Sequence, residues 1–390
     1  MIAMTHQINE AQTPTIDLGR DRFRANPRYE PAELGRLNEQ EREMLGNLAK
    51  QQNIFGVLRA KQVGQLPSKA ICRDTALLWF SLQEPGLIPE MSFSTLGPDP
   101  ANAVAQLVLG GVLEIQVGDY FSSGSDALEL ILPKREVRSV TRVAGISERA
   151  LKYAQALATT DPQLLIAKLY AYNHEPITPD LRARFSSEDA IREFLTIDRM
   201  EDLSRNWHES TVEGWRSFSS RRVQLIKPNF KLYVSPTFMD MPRAMPIVVH
   251  VFESLGVAAF KVGRNLPDVL RPDKIVAYFD TKEHLEIVAK TLTGDLKQVR
   301  AQGVPFTAQI DEFGLLSWGR DPAEVPNIPG VQQSSWRAWV VSRLAFALSL
   351  AKINPSEEVE AWEFAQRRLQ LDKIDPESWT PLEGIFNASN

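Results

Sequence analysis

The stretch Lys231-Leu232-Tyr233-Val234-Ser235 reads as a β-strand whose side chains divide cleanly between two faces. Strand period puts Leu232 and Val234 on one side and Lys231, Tyr233 and Ser235 on the other. The apolar pair faces a core. The opposite face carries an amine beside a phenol, and two readings of it stand: an ordinary solvated surface, or the floor of an active site. The chain around this strand changes character after Arg222. Short β-branched runs at 231–235, 258–262, 274–279, 305–310 and 315–318 alternate with helices expected over 246–255, 282–302 and 335–353. In the stretch 282–302, Leu285, Val288, Ala289, Leu292, Leu296 and Val299 share one stripe, so that helix is amphipathic. Residues 223–354 are therefore expected to form a mixed α/β domain within a chain of α+β class.

The rest of the chain is more helical. Residues 1–30 show no sustained period and are expected to be a flexible arm. Leu34, Leu37, Met44, Leu45, Leu48 and Ile54 recur at roughly helical spacing; a second helix is expected over 69–82 and a third from near Asn102. The stretch 111–123 alternates like a hairpin around Gly118-Asp119. Three helices leading into a hairpin predict a winged-helix-like domain over 31–140, followed by a helical segment, 141–222. The third helix carries no Lys or Arg, which argues against a helix reading the DNA major groove. Peptide binding along a strand and a purely packing role both stay open. Residues 355–390 add a helix over 359–371 and a Pro-punctuated tail.

Bulk composition narrows the function classes. The 390 residues are 43% hydrophobic and 24% charged, with a net charge of −5, so the whole molecule is not built to attract nucleic acid. The single cysteine, Cys72, excludes an internal disulfide and is expected to be a small buried hydrophobe. No signal-peptide pattern and no span of membrane length is legible, so a cytoplasmic protein is the default expectation. Walker, dinucleotide-binding, nucleophile-elbow and HExxH motifs are absent, and the five histidines have no metal spacing. Neither a cofactor nor a metal is expected.

The cations of the C-terminal half point to chemistry. Lys261 interrupts the apolar run Val257-Ala-Ala-Phe-Lys-Val262, where a lysine needs an anionic partner or a cavity. Lys227 and Arg264 punctuate neighbouring runs, and Arg271, Lys274, Arg320 and Arg337 fall at element ends, where binding residues concentrate. Arg343 lies in the apolar stripe Trp336, Trp339, Val340, Ala347, Leu350 and Ala351, so it must meet either a carboxylate or a ligand oxyanion. Ser334 or Ser335 would cap that helix beside Arg337. Converging lysines and arginines suit a phosphorylated or carboxylated ligand. A lysine made neutral by other cations can act as a general base. Together these features suggest removing a Cα proton from phospho-Ser or phospho-Thr and expelling phosphate by β-elimination.

Several of these runs resemble the HopA-like type III effector family. They are Lys-Leu-Tyr-Val-Ser (231–235), Ala-Phe-Lys-Val (259–262), Arg-Pro-Asp-Lys-Ile-Val-Ala-Tyr-Phe (271–279), Gly-Val-Pro-Phe-Thr (303–307), Gly-Leu-Leu-Ser-Trp-Gly-Arg-Asp-Pro (314–322) and Ser-Trp-Arg (335–337). HopA-like proteins also serve as lyase components in class V lanthipeptide and thioamitide pathways, which make modified ribosomal peptides, and resemble phosphothreonine lyases. The resemblance implies that Lys231 is the base and that Tyr233 stands where those lyases have a histidine acid. It implies phosphate held by Lys261, Arg271, Arg320 and Arg337, to which the cation pattern adds Lys227 and Arg343. It implies a precursor peptide as partner, with a kinase or other pathway proteins beside it, and neither nucleic acid nor membrane. Two other expectations stand beside the lyase: a non-catalytic peptide-binding or scaffold protein of such a pathway, and a secreted effector.

Overall fold

A computed structural model describes residues 14–62, 66–134, 140–322 and 335–386. Its class is α+β, with three antiparallel sheets and helices that gather into two large cores.

The sheet that decides the site has seven strands. Their spatial order is Ala308–Gln309, Leu316–Arg320, Phe230–Val234, Ile275–Phe279, Ala259–Gly263, Trp215–Ser220 and Trp207–Val212, every neighbouring pair antiparallel. The strand at 230–234 is therefore interior, paired on both sides. Register sorts the residues by face. Leu232, Val234, Phe260, Val262, Ile275, Ala277, Phe279 and Leu316 form one apolar face. The helices Met241–Ser254 and Lys282–Asp295 cover that face with Val248, Phe252, Leu285 and Val288 among others. Lys282–Asp295 is shorter than the stretch expected over 282–302, and Thr281 caps its start.

The other face turns toward the first core. That core joins the strands Phe23–Ala25 and Leu113–Val117 to the helices Pro100–Leu109, Arg142–Ala156, Pro162–Tyr170, Trp336–Ile353 and Ala361–Arg368. The helix Trp336–Ile353, expected to belong with the C-terminal sheet, thus packs in the first core. It reaches the sheet only at its N-terminus. Gly319 makes this approach possible, because a Cβ there would lie 2.3 Å from the Trp336 ring.

The N-terminal region departs from the sequence reading in its elements. Residues 14–30 contribute Phe23 and Tyr29 to the core rather than forming an arm; residues 1–13 lie outside the described residues. The helical spacing over 31–59 yields the α-helix Glu39–Leu45 with 3-10 turns at Leu34–Arg36 and Gly46–Lys50, because Tyr29–Glu33, Ile54–Ala60 and Lys69–Cys72 pair into a three-stranded sheet. The hairpin Leu113–Val117 and Tyr120–Ser122 forms around Gly118-Asp119 as its turn signal predicts. Cys72 is half-buried, not a core residue, and its sulfur caps the helix Arg73–Ser81 by accepting the Thr75 N–H. The aromatic run from Trp207 to Phe218 forms two strands, and Trp207 and Phe218 both pack on Phe260.

Candidate active site

The polar face of the seven-stranded sheet carries the candidate chemistry. Register opposes Lys231 to Tyr278 and Gly319, and Tyr233 to Val276 and Ser317; Val276 in turn opposes Lys261, which opposes Ser217. Because all of these partners share one face, Lys231, Tyr233, Lys261 and Tyr278 form a single patch. The same parity brings Trp215 and Asp321 onto it.

The two lysines differ in their surroundings. Lys231 is 6% exposed and forms an ion pair with Asp321, Nζ to Oδ2, at 2.6 Å. The other Asp321 oxygen accepts the Trp336 N–H at 2.9 Å, tying the end of the strand to the start of the helix. The Lys261 side chain has no ion pair and no hydrogen bond among the described residues. Its ammonium instead sits 4.0 Å from the Trp215 ring centroid and 5.8 Å from that of Tyr278. Burial, and next the charge of Lys231, push its amine down to about 8.

Asp273 organises the arginines. It is buried, receives both Nε and Nη2 of Arg271 at 2.9 and 3.0 Å, and lies 2.8 Å from Nη1 of Arg337. Burial alone would raise its carboxyl, but the charges of Arg337 and Arg271 outweigh this and hold it well below the usual range. Arg337 is 1% exposed and also donates to the Tyr170 carbonyl at 3.0 Å, at the end of the helix Pro162–Tyr170. A guanidinium is well placed against the carbonyl end of a helix. Arg271 stacks on Trp215, 4.8 Å from its centroid, and donates to the Tyr170 hydroxyl at 3.3 Å. One carboxylate thus aligns two guanidinium groups, one on the loop before the strand Ile275–Phe279 and one on the helix of the first core.

Tyr233 is 3% exposed; burial first, then the charge of Asp321, raise its phenol far above the ordinary value. It is a protonated hydrogen-bond donor across the physiological range. Lys274 is wholly buried and pairs with Glu175 at 3.1 Å, so it serves structure below the patch. His174 is close enough to Arg337, Asp273, Arg271 and Lys274 to feel their charges. Loss of hydration, then the Arg337 charge, hold its imidazole down to about 4, so it is neutral at pH 7.

The structure thus brings together Lys231, Tyr233, Lys261, Arg271 and Arg337. Three other candidates lie elsewhere. Lys227 is exposed in the loop before the central strand, where its N–H donates to Asp280. Arg320 follows the parity of Phe230, its guanidinium 5.7 Å from that ring, and so belongs to the opposite side of the sheet. Arg343 is in the first core, 5.2 Å from the Trp339 ring and 3.8 Å from Asp372. Sequence reasoning missed Asp273, Asp321, Tyr170, Trp215 and Tyr278. Parity along 271–279 and 315–321 would have placed Tyr278 and Asp321, but nothing local announces Tyr170.

Among the described residues, no cluster of three His, Cys, Asp or Glu is arranged to hold a metal ion, and no helix is long and apolar enough to cross a membrane.

No family model and no curated protein matches the sequence. Solved structures do align. An effector protein from Pseudomonas syringae pv. syringae strain 61 aligns over 63% of this chain and 99% of its own, at 12% identity and a TM-score of 0.38. An effector from Pseudomonas syringae pv. tomato strain DC3000 aligns over 62% and 96%, at 14% identity and a TM-score of 0.32. The phosphothreonine lyase SpvC from Salmonella aligns over 50% and 98%, at 11% identity and a TM-score of 0.26.

Proposed function

We propose that this protein is a lyase that removes phosphate from a phosphorylated Ser or Thr of a peptide by β-elimination. One observation carries the proposal. Lys261 presents an unpaired, half-buried amine, brought down to about 8, on the same sheet face as an array of cations. In this reading Lys261, rather than Lys231, is the base. It takes the Cα proton, the C–H electrons form the Cα=Cβ double bond, and the Cβ–O bond breaks to release phosphate. Arg271, Arg337 and Lys231 stabilise the charge that grows on the departing oxygens, and Tyr233 donates a hydrogen bond. The reaction needs no oxidant and no external carrier.

The ion pairs support a second reading. Asp321 and Asp273 already engage Lys231, Arg271 and Arg337 in ion pairs, as expected of a peptide-binding scaffold or effector without the chemistry. Incubation with a phosphothreonine peptide, followed by mass spectrometry, separates the two. The lyase reading requires loss of phosphoric acid, abolished in Lys261→Ala. An unchanged peptide mass with binding retained leaves the scaffold. The finer reading, a ribosomally made precursor peptide as substrate, is tested by repeating the assay with phosphorylated precursors.

A further inference from the structure

The helix Trp336–Ile353 brings Arg337 to the sheet face at one end, and at the other it opens onto a cavity of about 640 Å³, which Leu350 and Asn354 line. At a rise of about 1.5 Å per residue the two ends stand roughly 25 Å apart, so the cavity is separate from the patch around Lys261. A helix C-terminus carries the negative end of the dipole and carbonyls with no partner in a following turn. Lys352, the cation of the last turn, does not offset this. Its ammonium is engaged by the carbonyls of Ala154 and Gln155, at 3.3 and 2.8 Å.

Side chains add to the same sign. Asp126, Glu357 and Glu358 line the cavity, are exposed, and form no side-chain hydrogen bond or ion pair among the described residues. Glu114 also lines it but is paired with Arg24 at 2.7 Å. The three free carboxylates face one lining cation, Arg28, whose Nη2 donates to the Asn354 amide oxygen at 3.2 Å, so two negative charges stand in excess. Among the described residues the carboxylates do not converge closely enough to hold a metal ion. Charges of one sign spread along a cavity suit an extended organic cation instead.

Two further features say what carries that charge. Ser122 faces the cavity, is 7% exposed, and its hydroxyl has no hydrogen-bond partner among the described residues. Leaving a buried hydroxyl unsatisfied is costly, and its oxygen accepts from an ammonium or guanidinium. Its strand, Tyr120–Ser122, is the outer strand of a sheet completed by Leu113–Val117 and Phe23–Ala25, with no strand on its other side among the described residues. An outer strand offers backbone donors and acceptors at regular spacing, which a peptide matches and a small amine does not. Tyr120 shares the face of Ser122 and is 63% exposed, which gives a cation an aromatic surface as well.

We infer that this cavity binds an extended basic peptide segment. Asp126, Glu357 and Glu358 take its lysine or arginine side chains, and the strand Tyr120–Ser122 takes its backbone. Basic residues at alternate positions would lie on one face of such a segment. No phosphate is involved, so the inference goes beyond the elimination chemistry and does not depend on it.

The test is fluorescence anisotropy of the full-length protein with a labelled, unphosphorylated peptide, Gly-Arg-Ser-Lys-Thr-Arg-Gly. The cavity variants are Glu357→Gln/Glu358→Gln and Asp126→Asn. The control, Glu283→Gln/Glu286→Gln, removes as much charge from exposed positions of the helix Lys282–Asp295. All of these side chains are exposed, where substitution leaves folding intact. Saturable binding to wild type is expected, about tenfold weaker in the double cavity variant, about threefold weaker in Asp126→Asn and unchanged in the control. Spermine, which brings charge without a peptide backbone, should compete about tenfold less well than the unlabelled peptide. Equal weakening in the control would reduce the binding to net charge and overturn the site. Wild-type affinity in the cavity variants, or no saturable binding at all, overturns it too. Spermine competing as well as the peptide overturns the peptide as occupant. Elimination does not enter the readout, so failure here leaves the reading of Lys261 untouched, and the converse holds.

Discussion

Asp321 holds one carboxylate oxygen 2.6 Å from the Lys231 ammonium. That pair divides the labour of the sheet face. Lys231 is held in place by that half-buried carboxylate. The lysine left without a carboxylate is the one that can shed its proton near neutrality. Lys261 is in that position, with Trp215 and Tyr278 rather than an acid against its ammonium.

The two lysines should therefore fail differently. Lys261→Ala is expected to lower kcat for phosphate release by about 10²–10⁴, the usual contribution of a positioned base. Lys231→Ala should raise KM for the phosphopeptide with a smaller fall in kcat. Steady-state phosphate release measures both, and equal kcat losses in the two variants would remove the distinction.

The pH profile follows from the same amine. The base must be unprotonated, so kcat/KM should rise with pH through a limb near 8 and fall away below it. A profile flat from pH 6 to 9 would argue against Lys261.

Asp273 should be the costliest carboxylate to neutralise. Asp273→Asn leaves Arg271 and Arg337 short of their shared counter-charge, and breaking a buried pair costs about 3–5 kcal/mol. Its carboxyl is held below the unfolded value, so its stabilisation is complete above roughly pH 5 and is lost as the solution is acidified through about 3.9 and below. Urea titrations of wild type and variant should diverge at pH 7 and draw together as acid protonates the wild-type group.

Gly319→Ala should loosen the joint between the two cores. The added methyl meets the Trp336 ring at 2.3 Å, and overpacking of this kind costs about 1–3 kcal/mol. The helix start must shift, carrying Arg337 with it. A lower thermal midpoint together with a raised KM is expected.

Alkaline stability should pass through a maximum. Lys69, Lys261 and Lys274 are each brought down to about 8 in the folded chain, chiefly by burial. Between pH 8 and about 10 the unfolded chain then binds more protons, so stability rises. Above about 10 the sign reverses, because Tyr29, Tyr233 and Tyr278 have raised values and the unfolded phenols ionise first. Urea midpoints at pH 7, 9.5 and 11 measure both slopes.

What sequence alone determined is local. Period two along 231–235 placed Lys231 and Tyr233 together, because alternation is a property of the extended backbone itself. The interruption of an apolar strand marked Lys261 for the same reason. Turn chemistry announced the hairpin at Gly118-Asp119, and a capping serine announced the helix after Ser335. Tertiary structure decided everything that depends on which elements become neighbours. Helical spacing over 31–59 lost to strand pairing, since apolar residues at mixed intervals serve either period until a partner strand appears. Lys231 could not be told from Lys261 by pattern. Their difference lies in Asp321, which is 90 residues from one and 60 from the other in the chain and beside only one in space. Arg343 and Arg337 share a helix, yet only Arg337 joins the sheet face, because only the first turn of that helix reaches the sheet.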